Sequence, residues 1–102
     1  MDRLPMLRSM AAARPDDPFP QYGVAMELRK RGEVAEATEA FRALVERHPD
    51  YVPAYLMFGT MLAEDSQSEV AIEVLDRGIG VARAAGDEHA LSELQAARAE
   101  LS

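Results

Sequence analysis

Apolar residues recur three and four positions apart along almost the whole chain, while the period-two alternation of Val, Ile and Thr that marks strands is scarce. That spacing predicts helices, and the breakers between the stripes separate six of them. Leu4, Leu7 and Met10 form the first stripe, with Pro5 early enough for a first turn. Arg14-Pro15-Asp16-Asp17-Pro18 ends that helix and offers a cap to the next. Val24, Ala25 and Leu28 mark the second helix, which Gly32 ends. The basic run Arg29-Lys30-Arg31 lies just before that glycine, where cations suit the negative end of a helix dipole. Val34, Ala37, Phe41, Leu44 and Val45 mark the third helix, closed by His48-Pro49-Asp50. The fourth runs from about Val52 to Glu64 with Tyr55, Phe58, Gly59 and Leu62 on its packing side. Val70, Ala71, Val74, Leu75 and Ile79 mark the fifth, which runs on to Ala85 before Gly86-Asp87. The last helix, about 88–101, carries Leu91, Leu94 and Leu101 on one side. Linkers this short make neighbouring helices antiparallel.

Shifting the chain against itself by 34 residues makes the punctuation coincide. Arg14-Pro15-Asp16 falls on His48-Pro49-Asp50, and Leu7, Phe41 and Leu75 share one position. Val24 meets Phe58, Ala25 meets Gly59, Leu28 meets Leu62, and Ala37 meets Ala71. A fixed period of this length belongs to arrays of helix pairs, in which each pair hides only part of its apolar stripe and a stacked neighbour covers more. Ala25/Gly59 and Ala37/Ala71 are small where two helices approach closely; Phe41 and Leu75 are the large residues that fill the gap between successive pairs.

These residues resemble the tetratricopeptide repeat family, whose signature is W-x2-L-G-x2-Y, then A-x3-F, then P. Residues 18–51 supply Val24, Ala25, Leu28, Gly32, Ala37, Phe41 and Pro49 as a first repeat. Residues 52–85 supply Tyr55 for the tryptophan, then Phe58, Gly59, Leu62, Ala71 and Leu75 as a second. Residues 3–15 look like the second helix of a degenerate leading repeat, and 87–101 like the capping helix that ends such arrays. The resemblance thus covers nearly all of 1–102 as one domain, and implies an all-α, right-handed superhelical stack of antiparallel helix pairs. There are departures. Gln21 stands in the first aromatic slot, so Tyr22 is expected to swing in or the packing there to be weaker. Ser66 replaces a turn glycine, Arg83 occupies the place of the second terminal proline, and the last helix fits best with two residues inserted before it.

The resemblance also implies a protein-interaction module, with the first helix of each pair lining a concave groove that receives a peptide or helix. Residues off the packing stripe then become the candidate groove: Phe19, Tyr22, Met26 and Arg29 on the second helix, and Leu56, Met57, Thr60 and Glu64 on the fourth. Glu93 joins them from the last helix, with Ala90 and Ala97 facing the same way. Such a strip suits an apolar or amphipathic partner segment, and its methionines add adaptable surface. The competing reading makes Tyr22, Leu56 and Met57 plain core. Family members that hold the carboxylate-ended tails of heat-shock chaperones present Lys, Asn and Arg on the groove; Tyr22, Met26, Leu56 and Thr60 stand there instead, which argues against that ligand. A self-associating module is the alternative, a homodimer using the apolar groove or a seam of Ala90, Leu94, Ala97 and Leu101 on the last helix.

Composition narrows the function further. The net charge of -7 and pI near 4.7 argue against nucleic-acid binding. Residues 1–48 are formally neutral, so all of the -7 lies in residues 49–102. Zero cysteines remove disulfides and thiol chemistry. No apolar run is long enough for a membrane span, and the polar start is unlike a secretory leader, so a cytoplasmic setting is expected. His48 in the proline turn and His89 in the last helix have no nucleophile or ligand partner at motif spacing, so no catalytic residue, metal or cofactor is expected. Glu36/Glu39 and Glu69/Glu73 are like-charged helical neighbours and read as solvated faces. Gly78-Ile79-Gly80 follows no strand and is no phosphate loop; inside a helix it permits close approach or a bend.

Overall fold

The computed structural model describes residues 2–101, and those residues form an all-α helical repeat. Six α-helices follow in order: α1 (Leu4–Ala13), α2 (Pro18–Lys30), α3 (Val34–Arg47), α4 (Val52–Glu64), α5 (Ser68–Ala85) and α6 (Glu88–Ala99). None of the described helices is long and apolar enough to cross a membrane.

The helix ends follow from local chemistry. Asp17 caps α2 by accepting the Phe19 N–H at 3.0 Å, and Asp87 caps α6 by accepting the Ala90 N–H at 3.1 Å. Both α1 and α3 stop one residue before a proline, at Arg14 and His48. After α2, Gly32 turns left-handed at φ 74° and the Glu33 N–H closes on the Leu28 carbonyl at 3.0 Å. After α4 the same closure recurs 34 residues on: the Gln67 N–H meets the Leu62 carbonyl at 2.8 Å. There Ser66 takes the left-handed conformation, at φ 62°, in the place of the glycine. Gly86 ends α5 in the same way, at φ 70°. The last helix stops at Ala99, earlier than the apolar spacing suggests, because Glu100 is already its C-cap residue.

The helices gather into two compact units, one up to His48 and one from Pro49 onward. In the first, α2 packs on both α1 and α3, and Ala25, Leu28, Ala37, Phe41 and Leu44 are fully or almost fully buried. In the second, α5 packs on both α4 and α6, and α4 also touches α6. Its core is Tyr55, Phe58, Leu62, Ala71, Leu75, Ala82 and Leu94. Small residues set the spacing there. A Cβ on Gly59 would stand 2.5 Å from Leu75 Cδ2, and one on Gly78 would stand 2.6 Å from Tyr55 Cβ and 3.0 Å from Leu94 Cδ2. Gly78 therefore serves close approach, whereas nothing lies within 4 Å of a Cβ on Gly80.

Candidate functional site

In the first unit, α1 contributes no fully buried residue, although its stripe was laid down for packing. Leu7 is half-buried and meets α2 at Gly23, where an added Cβ would lie 3.1 Å from its Cδ2. Beside this contact α1 and α2 enclose a hollow of about 510 Å³. Leu7 and Met10 line it from α1; Phe19, Tyr22, Gly23 and Met26 line it from α2. Phe19 is 70% exposed and Met10 37%. Arg3, Pro20, Glu27 and Lys30 complete the lining, and Glu27 is held by Arg31 at 3.1 Å. Arg31 also pairs with Asp2, whose carboxyl that hydrogen bond holds below its ordinary range.

Three of the nine candidate residues are thus brought together: Phe19, Tyr22 and Met26 share one wall. Tyr22 stays half-buried on this wall, and burial raises its phenol above the ordinary value, with Arg29 nearby opposing the shift. It does not take over the aromatic slot at Gln21. Gln21 keeps that place, donating from Nε2 to the Pro15 carbonyl at 3.1 Å. The same carbonyl lies 2.7 Å from Arg47 Nε and 3.2 Å from His48 Nε2, so the α1–α2 turn is pinned by the end of α3. His48 is accordingly a hydrogen-bonding turn residue.

Five candidates belong to the second unit. Leu56, Met57 and Thr60 are half-buried on α4, and Thr60 Oγ1 donates to the Met57 carbonyl at 3.2 Å. Glu64 is exposed at the end of the same helix. Glu93 is exposed on α6, with Oε1 3.2 Å from His89 Nε2. Tyr22, Leu56 and Met57 are all half-buried, neither sealed in the core nor fully open to solvent. The seam expected on α6 needs revision as well. Leu94 is fully buried and packs at Gly78 inside its own unit, so it is withdrawn from any self-association surface.

Residue spacing alone passed over Arg3, Leu7, Met10 and Lys30. A signal for three of them was present, since the 34-residue register places Arg3, Leu7 and Met10 on Ala37, Phe41 and Leu44, all core.

Known structures share this architecture. A tetratricopeptide repeat domain protein of Salinibacter ruber, solved in solution, is 38% identical to the chain, with a TM-score of 0.78 over 85% of this chain and 88% of that one. Its crystal structure gives 38% identity and a TM-score of 0.77 over 83% and 96%. The solution structure of a Bordetella parapertussis protein, 21% identical, shares the fold with a TM-score of 0.84 over 99% and 88%. No family model and no curated protein matches the sequence.

Proposed function

The chain belongs to the tetratricopeptide repeat family, and on that premise we propose that it is a non-catalytic, cytoplasmic adaptor that holds an apolar or amphipathic segment of a partner protein. The observation that carries the reading is the α1–α2 hollow, where Phe19 and Met10 stand exposed beside Tyr22 and Met26. Large apolar side chains in water are a standing cost unless something covers them, and a concave apolar face suits a helix laid into it. Methionines let such a face adapt to more than one sequence. Arg29 lies near Tyr22 on α2; in the second unit, taken by itself, we assign a separate candidate strip of Leu56, Met57 and Thr60, edged by Glu64, with Glu93 on α6.

Selection from a displayed library of helical peptides against the whole chain tests this. Selected peptides are expected to lose about 30-fold or more in affinity to Phe19→Glu, the loss typical of a central anchor. The variant's melting should stay unchanged, because Phe19 is already 70% exposed. Peptides that bind Phe19→Glu as tightly as the parent would overturn the role of the hollow. Leu56→Glu, read in the same assay, tests the separate α4 strip of the second unit.

A second reading has its own observation. Met6, Met10 and Phe19, the exposed large apolar side chains among the described residues, all lie on α1 or the start of α2. A second copy could cover them in a homodimer, and sedimentation velocity over a wide concentration range separates the two readings.

A further inference from the structure

The 34-residue register says what shape the hollow accepts. Stepping forward from Arg3, Leu7 and Met10 leads to Ala37, Phe41 and Leu44, and then to Ala71, Leu75 and Gly78. All six later residues are buried. On α1 and its N-cap the same positions are open: Arg3 and Met10 are exposed and Leu7 is half-buried. In the second unit the cover of the middle position is visible. It is α4, whose Gly59 comes so close to Leu75 that even a methyl group would collide.

We infer that the α1–α2 hollow is the seat of a helix from another protein, lying on α1 as α4 lies on α5, with a glycine or alanine opposite Leu7 and carboxylates toward Arg3 and Lys30. The inference rests on the reading of the hollow as a docking face and names the chemistry of what docks. The small residue follows from the Gly59–Leu75 fit. The carboxylates follow from charge. Arg3 replaces the alanines of the other two helices, and neither it nor Lys30 has an ion-pair partner among the described residues. The carboxylate of the hollow, Glu27, is already occupied by Arg31. A helix covering Arg3 without a carboxylate would bury an unpaired cation, which is strongly unfavourable. The turn Asp65–Gln67 joins the end of α4 to the start of α5, so a helix seated in the same way brings its C-terminal end beside Arg3.

The chain itself supplies the probe. Residues 50–66 hold α4 with Gly59 as the contact residue and Asp50, Glu64 and Asp65 as carboxylates. Fused to a soluble carrier, this segment is titrated into the isotope-labelled whole chain and followed by NMR at Leu7, Met10, Phe19 and Met26. Saturable shifts at those residues are expected. Gly59→Leu in the probe should weaken binding by at least about tenfold, because the close contact is lost. Arg3→Glu in the chain should weaken it several-fold at low salt, and Glu64→Lys with Asp65→Lys in the probe should restore it.

No saturable shift at these residues, or binding indifferent to Gly59→Leu and to the charge exchange, overturns the inference. Shifts confined to α5 and α6 overturn it too, since the probe would then be replacing the chain's own α4. So does concentration-dependent broadening of the hollow residues without probe, which makes a second copy the occupant. If library-selected helices bind the hollow with no small residue and no carboxylate, this inference fails while the docking reading stands. If no helix of any kind binds there, both fail.

Discussion

Where the second unit has Tyr55, the first has Gln21, and both side chains reach back six residues to a proline carbonyl. Tyr55 Oη donates to Pro49 O at 2.5 Å, and Gln21 Nε2 donates to Pro15 O at 3.1 Å. The polar link of the frame is kept in both. What differs is the apolar body that comes with it. The Tyr55 ring is almost wholly buried, touches the backbone position of Gly78 and carries the Arg77 guanidinium 5.7 Å from its centroid. Gln21 brings no such ring. Along the whole helix the contrast persists: α4 has seven buried residues and α2 three. One frame thus serves two ends. The second unit buries its stripe in the core, and the first leaves large apolar side chains such as Met10 and Phe19 exposed.

The largest test of this contrast compares one register position in the two units. Leu75→Ala should destabilise the protein by about 3–5 kcal/mol, because the side chain is fully buried and the gap it leaves cannot collapse. Leu7→Ala, at the half-buried counterpart, should cost about 1 kcal/mol. Urea unfolding monitored by circular dichroism measures both. Equal losses would mean that α1 is as firmly built in as α5, and the hollow would no longer be an open face.

A second pair lies two residues apart on α5. Gly78→Ala should destabilise by about 1–3 kcal/mol even though alanine favours helix, since the new methyl meets Tyr55 Cβ, which cannot swing aside. Gly80→Ala should instead stabilise by about 0.5–1 kcal/mol, because space is open and only helix propensity changes. If both stabilised, the tight seating of α5 between Tyr55 and Leu94 would be wrong.

The different legibility of these features has a physical basis. Helix ends were readable because the residues that enforce them act locally: α4 spans Val52–Glu64 and α5 runs to Ala85, as the breakers required. The tight position at Gly59 was readable as a small residue within an apolar stripe, whereas nothing in the sequence separates Gly78 from Gly80, and only the neighbours across the helix do. Burial of the off-stripe residues was not, because it depends on which neighbour happens to cover them. Leu94 reads equally well as core or as a seam, and only the position of Gly78 decides. Tyr22 next to an empty aromatic slot invites a swap, but the hydrogen bond from Gln21 to Pro15 fills that slot without it. Met10 carries the spacing of a core residue, and no local property of α1 announces that its cover is missing.

The turn after the first helix of each pair gives a smaller comparison. Gly32 and Ser66 occupy equivalent left-handed positions, at φ 74° and 62°. Only the glycine is free of the penalty that a Cβ brings there. Ser66→Gly should therefore stabilise by about 0.5–1 kcal/mol, and Gly32→Ser should destabilise by a similar amount. Opposite signs in thermal melts would confirm that the two turns share one geometry. Equal signs would show that the Ser66 hydroxyl compensates for its backbone.

The least of the expected effects concerns alkaline pH and again divides Tyr55 from Gln21. Burial raises the Tyr55 phenol above its ordinary value near 10, with Arg77 opposing the shift. The folded state then holds this proton to higher pH than the unfolded state does. Between the two values folding binds protons, so stability is intact below about pH 10 and declines as pH rises beyond it. Tyr55→Phe should lower stability by about 1 kcal/mol at neutral pH through loss of the bond to Pro49. It should also flatten the alkaline decline, so that variant and parent converge as pH rises. Gln21 has no proton to lose, and Gln21→Leu should leave the steepness of that decline unchanged while removing the bond to Pro15. Denaturant midpoints measured from neutral pH to above pH 10 settle the point. A decline equally steep without the Tyr55 hydroxyl would place the alkaline weakness outside the second unit's aromatic slot.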